Sequence, residues 1–240
     1  MTLRQRVMSY PRMARVHSEN ERDRSSLRAD RHLTVRPFLM ISMFVYGSSM
    51  VLKPVSADRV YRLFNIGATT LVSAAHEGDE DVMAAAWACA LDLTPAKATV
   101  VVDKSHYTRG LIEKSGYFAL GLPMVEAAPV VMKLGAVSKH DDAEKLAKSG
   151  AKLFKMDGFE MPLVEGCAAW VIFRVLPEPH NEAQYDLFIG EAVAAWADDR
   201  VFKDGRWCLE DAPESLRTLH YVSGGHFYAL GQSVHVPGYD

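Results

Sequence analysis

The 240-residue chain reads as mainly β, an antiparallel barrel with α-helices inserted between its strands. Three observations predict this. About seven short runs rich in β-branched and aromatic residues follow one another along the chain. The helical stretches fall at separate points and do not alternate one for one with strands, which argues against a parallel βαβ sheet. Gly and Asp turn signals, Asp204-Gly205 among them, join neighbouring runs at hairpin distance.

Taken in order, KPVSADRVYRLFN (residues 53–65) predicts a helix with Val60, Leu63 and Phe64 on one face. ATTLVSAAH then predicts a strand from its β-branched content, and EGDED a turn. VMAAAWACALDL suits a helix by its alanines, but its position directly after the turn makes it the return strand of a hairpin. KATVVVD is the third strand. KSHYTRGLIEKSG is a short helix with Leu111 and Ile112 inward and Gly116 as its stop, and YFALGLP returns to strand. The stretch MVEAAPVVMKLGAVSKHDDAEKLAKSG is helical in pieces, broken at Pro129 and Gly135 and closed by Gly150, and forms an excursion from the barrel. CAAWVIFRVLP and YDLFIGEAVAAWAD are long strands joined by the polar connection EPHNEAQ. VFKDGRW is a hairpin, and LRTLHYVSGGHFYALGQSV pairs a short helix with a terminal strand after Gly224-Gly225.

Hydrophobic residues at 49% and charged residues at 24% are those of an ordinary globular chain with material for one substantial core. The formal net charge of −3 hides an asymmetry. Residues 1–50 hold nine Arg, no Lys and four acidic residues, so the remaining 190 carry about −8. An acidic body argues against nucleic acid as a partner. Residues 1–49, polar and without periodicity, read as a disordered N-terminal extension, and the composition break near Met50 suggests an over-long gene call with the working domain over 50–240. The apolar run from Phe38 to Leu52 is interrupted by Gly47, Ser48 and Ser49 and falls short of the roughly 20 residues of a spanning helix, so no membrane partner is expected. Cys89, Cys167 and Cys208 are odd in number and far apart, which points to a reducing, cytoplasmic setting. No H-E-x-x-H, G-x-S-x-G, P-loop or G-x-G-x-x-G pattern occurs, which leaves no metal site and no dedicated Rossmann domain.

The strand-to-helix junction VVVDKSHYTRGLIEKSG is the richest in chemistry. A helix start offers unpaired N–H groups and a positive dipole end to a phosphate. Ser105 and Thr108 add hydroxyls, Lys104 and Arg109 add charge, and a guanidinium can grip phosphate bidentately. The same residues also suit an ordinary capped helix with Ser105 as N-cap. Spacing alone leaves both readings open.

The ordered set TTLVSAAHEGDEDVMAAAWACALDLTPAKATVVVDKSHYTRGLIEKSGYFALGLP, then FIGEAVAA and GGHFYALG, resembles the flavin reductase family of FMN-binding split barrels, flavoredoxins included, over residues 54–236. The resemblance implies an antiparallel Greek-key split β-barrel that binds FMN, with FAD as an alternative flavin. It implies that Met83, Ala84, Ala85, Ala86, Trp87 and Ala88 line the isoalloxazine ring, and that Lys104, Ser105, Thr108 and Arg109 meet the phosphate. Alanines fit a planar ring that needs close backbone approach, and they fit tight core packing equally. Trp87 is open in the same way, as ring contact or core aromatic. His226 and Tyr228 are candidates for the border of a nicotinamide site, or else a surface histidine and a barrel tyrosine. Glu191 faces either the barrel mouth or solvent. Two departures stand out: Asp81 replaces a common Asn, and Ala96 a common second proline.

The activity implied is NAD(P)H-dependent flavin reduction, with hydride passing from nicotinamide C4 to flavin N5, in a homodimer that can serve a partner monooxygenase or another acceptor. The protein's share is orientation and stabilisation of negative charge at N1 and O2, so no acid/base pair is required. Two alternatives remain: a retained FMN that reduces another acceptor, or a non-catalytic flavin- or haem-binding module.

Overall fold

The computed structural model describes residues 67–237 together with 55, 56, 59 and 63. All lie in the unit Lys53–Asp240. The readings of residues 1–49 lie outside the described residues, as does almost all of the helix expected over 53–65.

β1 (Thr70–His76) and β2 (Asp79–Ala85) form a hairpin across Glu77 and Gly78, both at positive φ, as a two-residue turn of this hand requires. β3 (Ala88–Leu93) and β4 (Ala96–Val101) form the next hairpin. Helix α1 (Tyr107–Ser115) follows and stops at Gly116, which is left-handed at φ 72°. β5 (Tyr117–Pro123) leads into the excursion, which contains a 3-10 turn, α2 (Ala128–Ala136), α3 (Lys145–Ser149) and the small pair β6 (Leu153–Phe154) and β7 (Leu163–Val164). The long strands β8 (Cys167–Leu176) and β9 (Leu187–Ala197) flank α4 (Pro179–Tyr185). Two hairpins end the described chain, β10 (Phe202–Lys203) with β11 (Arg206–Trp207) and β12 (Leu219–Ser223) with β13 (His226–Ala229).

Seven of these strands form one sheet in the order β2-β1-β5-β8-β9-β4-β3, with every neighbouring pair antiparallel. Its two edges, β2 and β3, are separated in sequence by only Ala86 and Trp87. A sheet whose opposite edges share a two-residue link must curl until they meet at one corner. The architecture is therefore a split β-barrel, mainly β with inserted helices, as the sequence predicts. The run VMAAAWACALDL, expected as one return strand, is instead two strands on opposite edges. The corner is fixed by the Val101 N–H, which donates to the Trp87 carbonyl at 3.0 Å.

Barrel interior and excursion bury opposite faces of β1. Val72 and Ala74 join Val100, Ile112, Phe118 and Phe188 inside the barrel, while Leu71 packs with Val82, Val131 and Leu134 beneath α2. A strand buried on both faces needs the continuous apolar run that made TLVSAA legible. Inside the barrel Phe118 stacks on Phe173 with centroids 5.1 Å apart, and Gly190 leaves the room, since a Cβ there would meet Phe118 at 2.6 Å.

The polar connection EPHNEAQ carries α4, with Pro179 in the first turn where its missing N–H costs nothing. Two further expectations are corrected. Pro129 likewise opens α2 and does not break it, and Gly135 lies inside that helix. The last segment is a β-hairpin, because Gly224 and Gly225 at φ 55° and 83° reverse the chain between two strands. Glu191 pairs across β8–β9 with Arg174 at 3.1 Å and takes no part in the cavities described below. Among the described residues no helix is long and apolar enough to cross a membrane.

Candidate functional site

β2 approaches its end with small side chains, and a cavity of about 460 Å³ lies against them, within the size range of small-molecule sites. Met83, Ala84 and Ala85 with the corner Ala86–Trp87 form one wall. Val131, Met132, Gly135 and Ala136 of α2 form another, and Tyr221 and Phe227 of the last hairpin a third. The absence of a side chain at Gly135 lets α2 come this near, because a Cβ there would lie 3.0 Å from that of Ala84. Thr69 also lines the cavity, and its buried hydroxyl has no hydrogen-bond partner. A ligand that met this hydroxyl would remove an otherwise unexplained cost.

A second cavity of about 240 Å³ shares Met83, Ala84, His106, Gly135 and Ala136 with the first. Apart from Leu134 and Val137, its remaining lining is polar: Ser105, Tyr107, Thr108, Ser138, Asp81, Asp141 and Lys145. α1 begins here, with His106 at the N-cap and no side chain capping the first turn, whose Arg109 N–H donates to the His106 carbonyl at 3.2 Å. The expected cap, Ser105, is engaged elsewhere. Both its N–H and its hydroxyl donate to Asp103 Oδ1, at 2.8 and 2.7 Å. Those donors, the backbone one foremost, hold the Asp103 carboxyl below the usual range.

Two aspartates of β2 are gripped from both sides. Tyr107 donates its hydroxyl to Asp79, and Lys139 reaches the same carboxylate at 2.5 Å. Two residues on, Thr108 Oγ1 donates to Asp81 Oδ2 at 2.7 Å, and the Lys145 ammonium lies 3.1 Å from Oδ1.

The sequence-predicted residues therefore divide. Met83, Ala84, Ala85, Ala86 and Trp87 line the larger cavity, and Ser105 and Thr108 the smaller. Ala88 packs instead against the barrel core. Lys104 and Arg109 line neither cavity. Lys104 donates to the Ala183 carbonyl at 2.6 Å. The Arg109 guanidinium, 7% exposed, serves Glu113, Asp186 and the carbonyls of Val102 and Glu182, and lies over the Phe188 ring. It ties α1 to α4 and β9 and turns no donor toward the cavities. His226 and Tyr228 meet edge to face on the outer side of their strand, and period-two alternation turns Phe227 inward.

An apolar cavity with small-residue walls that continues into a polar one at a helix start suits a ligand with a flat apolar body and an anionic tail. The model of the flavin reductase like domain matches residues 65–226, more than half of the chain. The chain belongs to this family. It is 48% identical to an FMN-binding domain of a flavin reductases-like enzyme from Shewanella baltica OS155, over 76% of this chain and 95% of that one, with a TM-score of 0.70. An uncharacterized protein of Escherichia coli K12, YddH, is 38% identical over 75% of this chain and 96% of its own length. Flavoredoxin of Desulfovibrio vulgaris shares the fold at 19% identity, with a TM-score of 0.61 over 72% of this chain and 91% of that one.

Sequence reasoning missed Thr69, His106, Tyr221, Phe227 and the α2 wall, all of which enter through tertiary placement. It also missed Lys145, 64 residues from its partner. Asp81, noted above as a departure from a common Asn, is the residue that the buried Lys145 faces.

Proposed function

We propose that the adjoining cavities bind FMN, ring in the larger and phosphate in the smaller, and that the protein is an NAD(P)H-dependent flavin reductase. The observation carrying this reading is the junction of the two cavities: Ala84, Ala85, Ala86 and Gly135 wall a flat apolar space that opens, past His106, onto the uncapped start of α1. Held there by these residues, FMN would supply the acceptor for hydride from a nicotinamide donor.

The chain's own residues bind and orient. The alanines of β2 admit a ring against backbone, the Thr69 hydroxyl gains its missing partner, and Tyr221 and Phe227 exclude water from that side. The α1 start meets the anionic tail. Preorganised donors suffice to stabilise charge in such a reaction, so an acid/base pair is not needed.

A homodimer belongs to the same proposal. β3 is an edge strand with Leu91 and Leu93 exposed at 52% and 90%, beside the half-exposed Trp87. A second copy over this edge would cover both apolar surface and unpaired strand.

The test is anaerobic mixing of FMN-loaded full-length protein with NADH and with NADPH. Bleaching of the flavin band with either donor is expected. An FMN-loaded protein that neither donor bleaches would be a binding module and not a reductase. Turnover with free FMN as acceptor then separates flavin supply from a retained cofactor.

A further inference from the structure

β2 begins with three consecutive acidic residues, Asp79, Glu80 and Asp81, and the excursion meets each of them with a lysine. Lys139 lies 2.5 Å from Asp79 and also donates to the Glu80 carbonyl at 2.8 Å. Lys145 lies 3.1 Å from Asp81, and Lys155 lies 2.8 Å from the Glu80 carboxylate. Alternation along a strand turns Glu80 to the face opposite its two neighbours, so Lys155 arrives on the other side of β2 from Lys139 and Lys145. Because β2 is an edge of the sheet, the excursion straddles that edge with cations on both sides.

The same two elements face each other across the candidate site. Both cavities are lined by Met83 and Ala84 of β2 and by Gly135 and Ala136 of α2. A ligand that occupies both runs between strand and helix, past the point where a Cβ at Gly135 would stand 3.0 Å from that of Ala84. Packed interiors have few voids larger than a water molecule, so a bulky ligand passes this point only if one wall gives way. β2 is paired with β1 over its whole length, whereas the excursion reaches it through side chains, which makes the excursion the wall that moves. Two of the ion pairs suit a fastener. Asp79 is 39% exposed, and Lys155 and Glu80 are 45% and 29% exposed, so water and salt screen these pairs and each breaks and reforms at small cost. The third pair, Lys145 with Asp81, is buried at the cavity itself.

We propose that the excursion is a strap that lifts from β2 to exchange flavin, with Lys139–Asp79 and Lys155–Glu80 as its fasteners, so that ionic strength sets the exchange rate; the proposal rests on the FMN reading above. Neither Glu80 nor Lys155 lines a cavity, so substituting them tests the strap apart from the ligand contacts. Stopped-flow flavin fluorescence measures the association and dissociation rates of FMN with the full-length apoprotein. Lys155→Met and Glu80→Gln are each expected to raise both rates by a similar factor, roughly 2- to 5-fold, and to leave Kd unchanged, because a looser strap admits and releases alike. The charge swap, Glu80→Lys with Lys155→Glu, should bring both rates back toward wild type. Riboflavin has no phosphate for salt to screen, so its two rates in the wild type should also rise together between about 0.05 and about 0.5 M KCl. A pair that only stabilises the fold would lower the urea midpoint and leave the rates alone, and a pair that contributes to binding would change dissociation and Kd. Either result, or a swap no slower than the single variants, overturns the strap. If the single variants do not fold, the salt dependence with riboflavin carries the test, and rates indifferent to salt sink the proposal. Wild-type protein that binds neither flavin removes the FMN reading as well, whereas flavin binding with rates unmoved by the variants and by salt removes the strap alone.

Discussion

Two triads of the same chemistry sit side by side on β2. In each, an aspartate accepts a hydroxyl from the first turn of α1 and faces a lysine from the excursion. Tyr107, Asp79 and Lys139 make the outer one, and Thr108, Asp81 and Lys145 the inner. The aspartates are two residues apart and so share a face of the strand. What differs is water. Asp79 is 39% exposed and Asp81 1%. The outer triad clips helix, strand and excursion together at the surface. The inner one repeats that clip where the solvent that would weaken it is absent and where a cavity wall needs charge. Burial, and not residue type, separates the clip from the candidate site.

The largest expected effect follows directly. Asp81→Ala leaves a buried ammonium without its partner and should destabilise the flavin-free protein by about 3–5 kcal/mol. Asp79→Ala, at the screened outer triad, should cost less than about 1 kcal/mol. Urea unfolding of both variants without flavin measures the difference. Similar shifts in midpoint would mean that burial does not separate the triads after all.

The same contrast explains what could be read from the chain in advance. Strands such as TLVSAA and CAAWVIF were legible because burial on one or both faces writes a pattern into consecutive residues. The glycine stops of α1 and α3 were legible because left-handed ends demand glycine. The corner at Ala86–Trp87 was not, since nothing in a run of alanines says where a strand leaves one sheet edge for the other. The site divided likewise. Met83 to Trp87 are consecutive and line one cavity together. Arg109 was misplaced because proximity to a helix start does not fix direction, and its guanidinium finds Asp186 and two carbonyls on the far side of α1. His226 and Tyr228 were left between a nicotinamide border and an outer position, and period-two alternation sets them opposite Phe227, which lines the larger cavity. Lys145 could not be read at all, because its partner lies on another element far back in the chain.

Removing the hydroxyls sharpens the comparison at a smaller scale. Thr108→Val keeps the shape of a buried side chain but deprives Asp81 Oδ2 of its closest donor, which should cost about 1–3 kcal/mol. Tyr107→Phe does the same at the outer triad, where water can replace the lost donor, and should cost at most about 1 kcal/mol. Thermal melts of the two variants rank them, and a larger loss in Tyr107→Phe would reverse the order argued from exposure.

The smallest effect is a pH dependence confined to the outer triad. Burial pushes the Asp79 carboxyl up, but the hydrogen bonds from Lys139 and Tyr107 and the charge of Lys139 outweigh it and hold the group below its ordinary value. A carboxyl depressed in the folded state adds stability above its unfolded pKa of about 3.9, and that stability is lost as pH falls through the folded value. Tyr107 runs the other way. Its hydrogen bond to Asp79, then burial, holds the phenol above its ordinary value, so its contribution is full below about pH 10 and fades as pH rises through the folded value. Wild type should therefore exceed Lys139→Met in stability at neutral pH by less than about 1 kcal/mol, and added salt should shrink the gap. The gap should also close as the pH is taken below about 4, where Asp79 becomes protonated and Lys139 has no charge left to hold. A gap of constant size between about pH 3 and about pH 7 would mean that Lys139 acts through the packing of its stem over the Tyr107 ring, 5.1 Å from its ammonium, and not through the carboxylate.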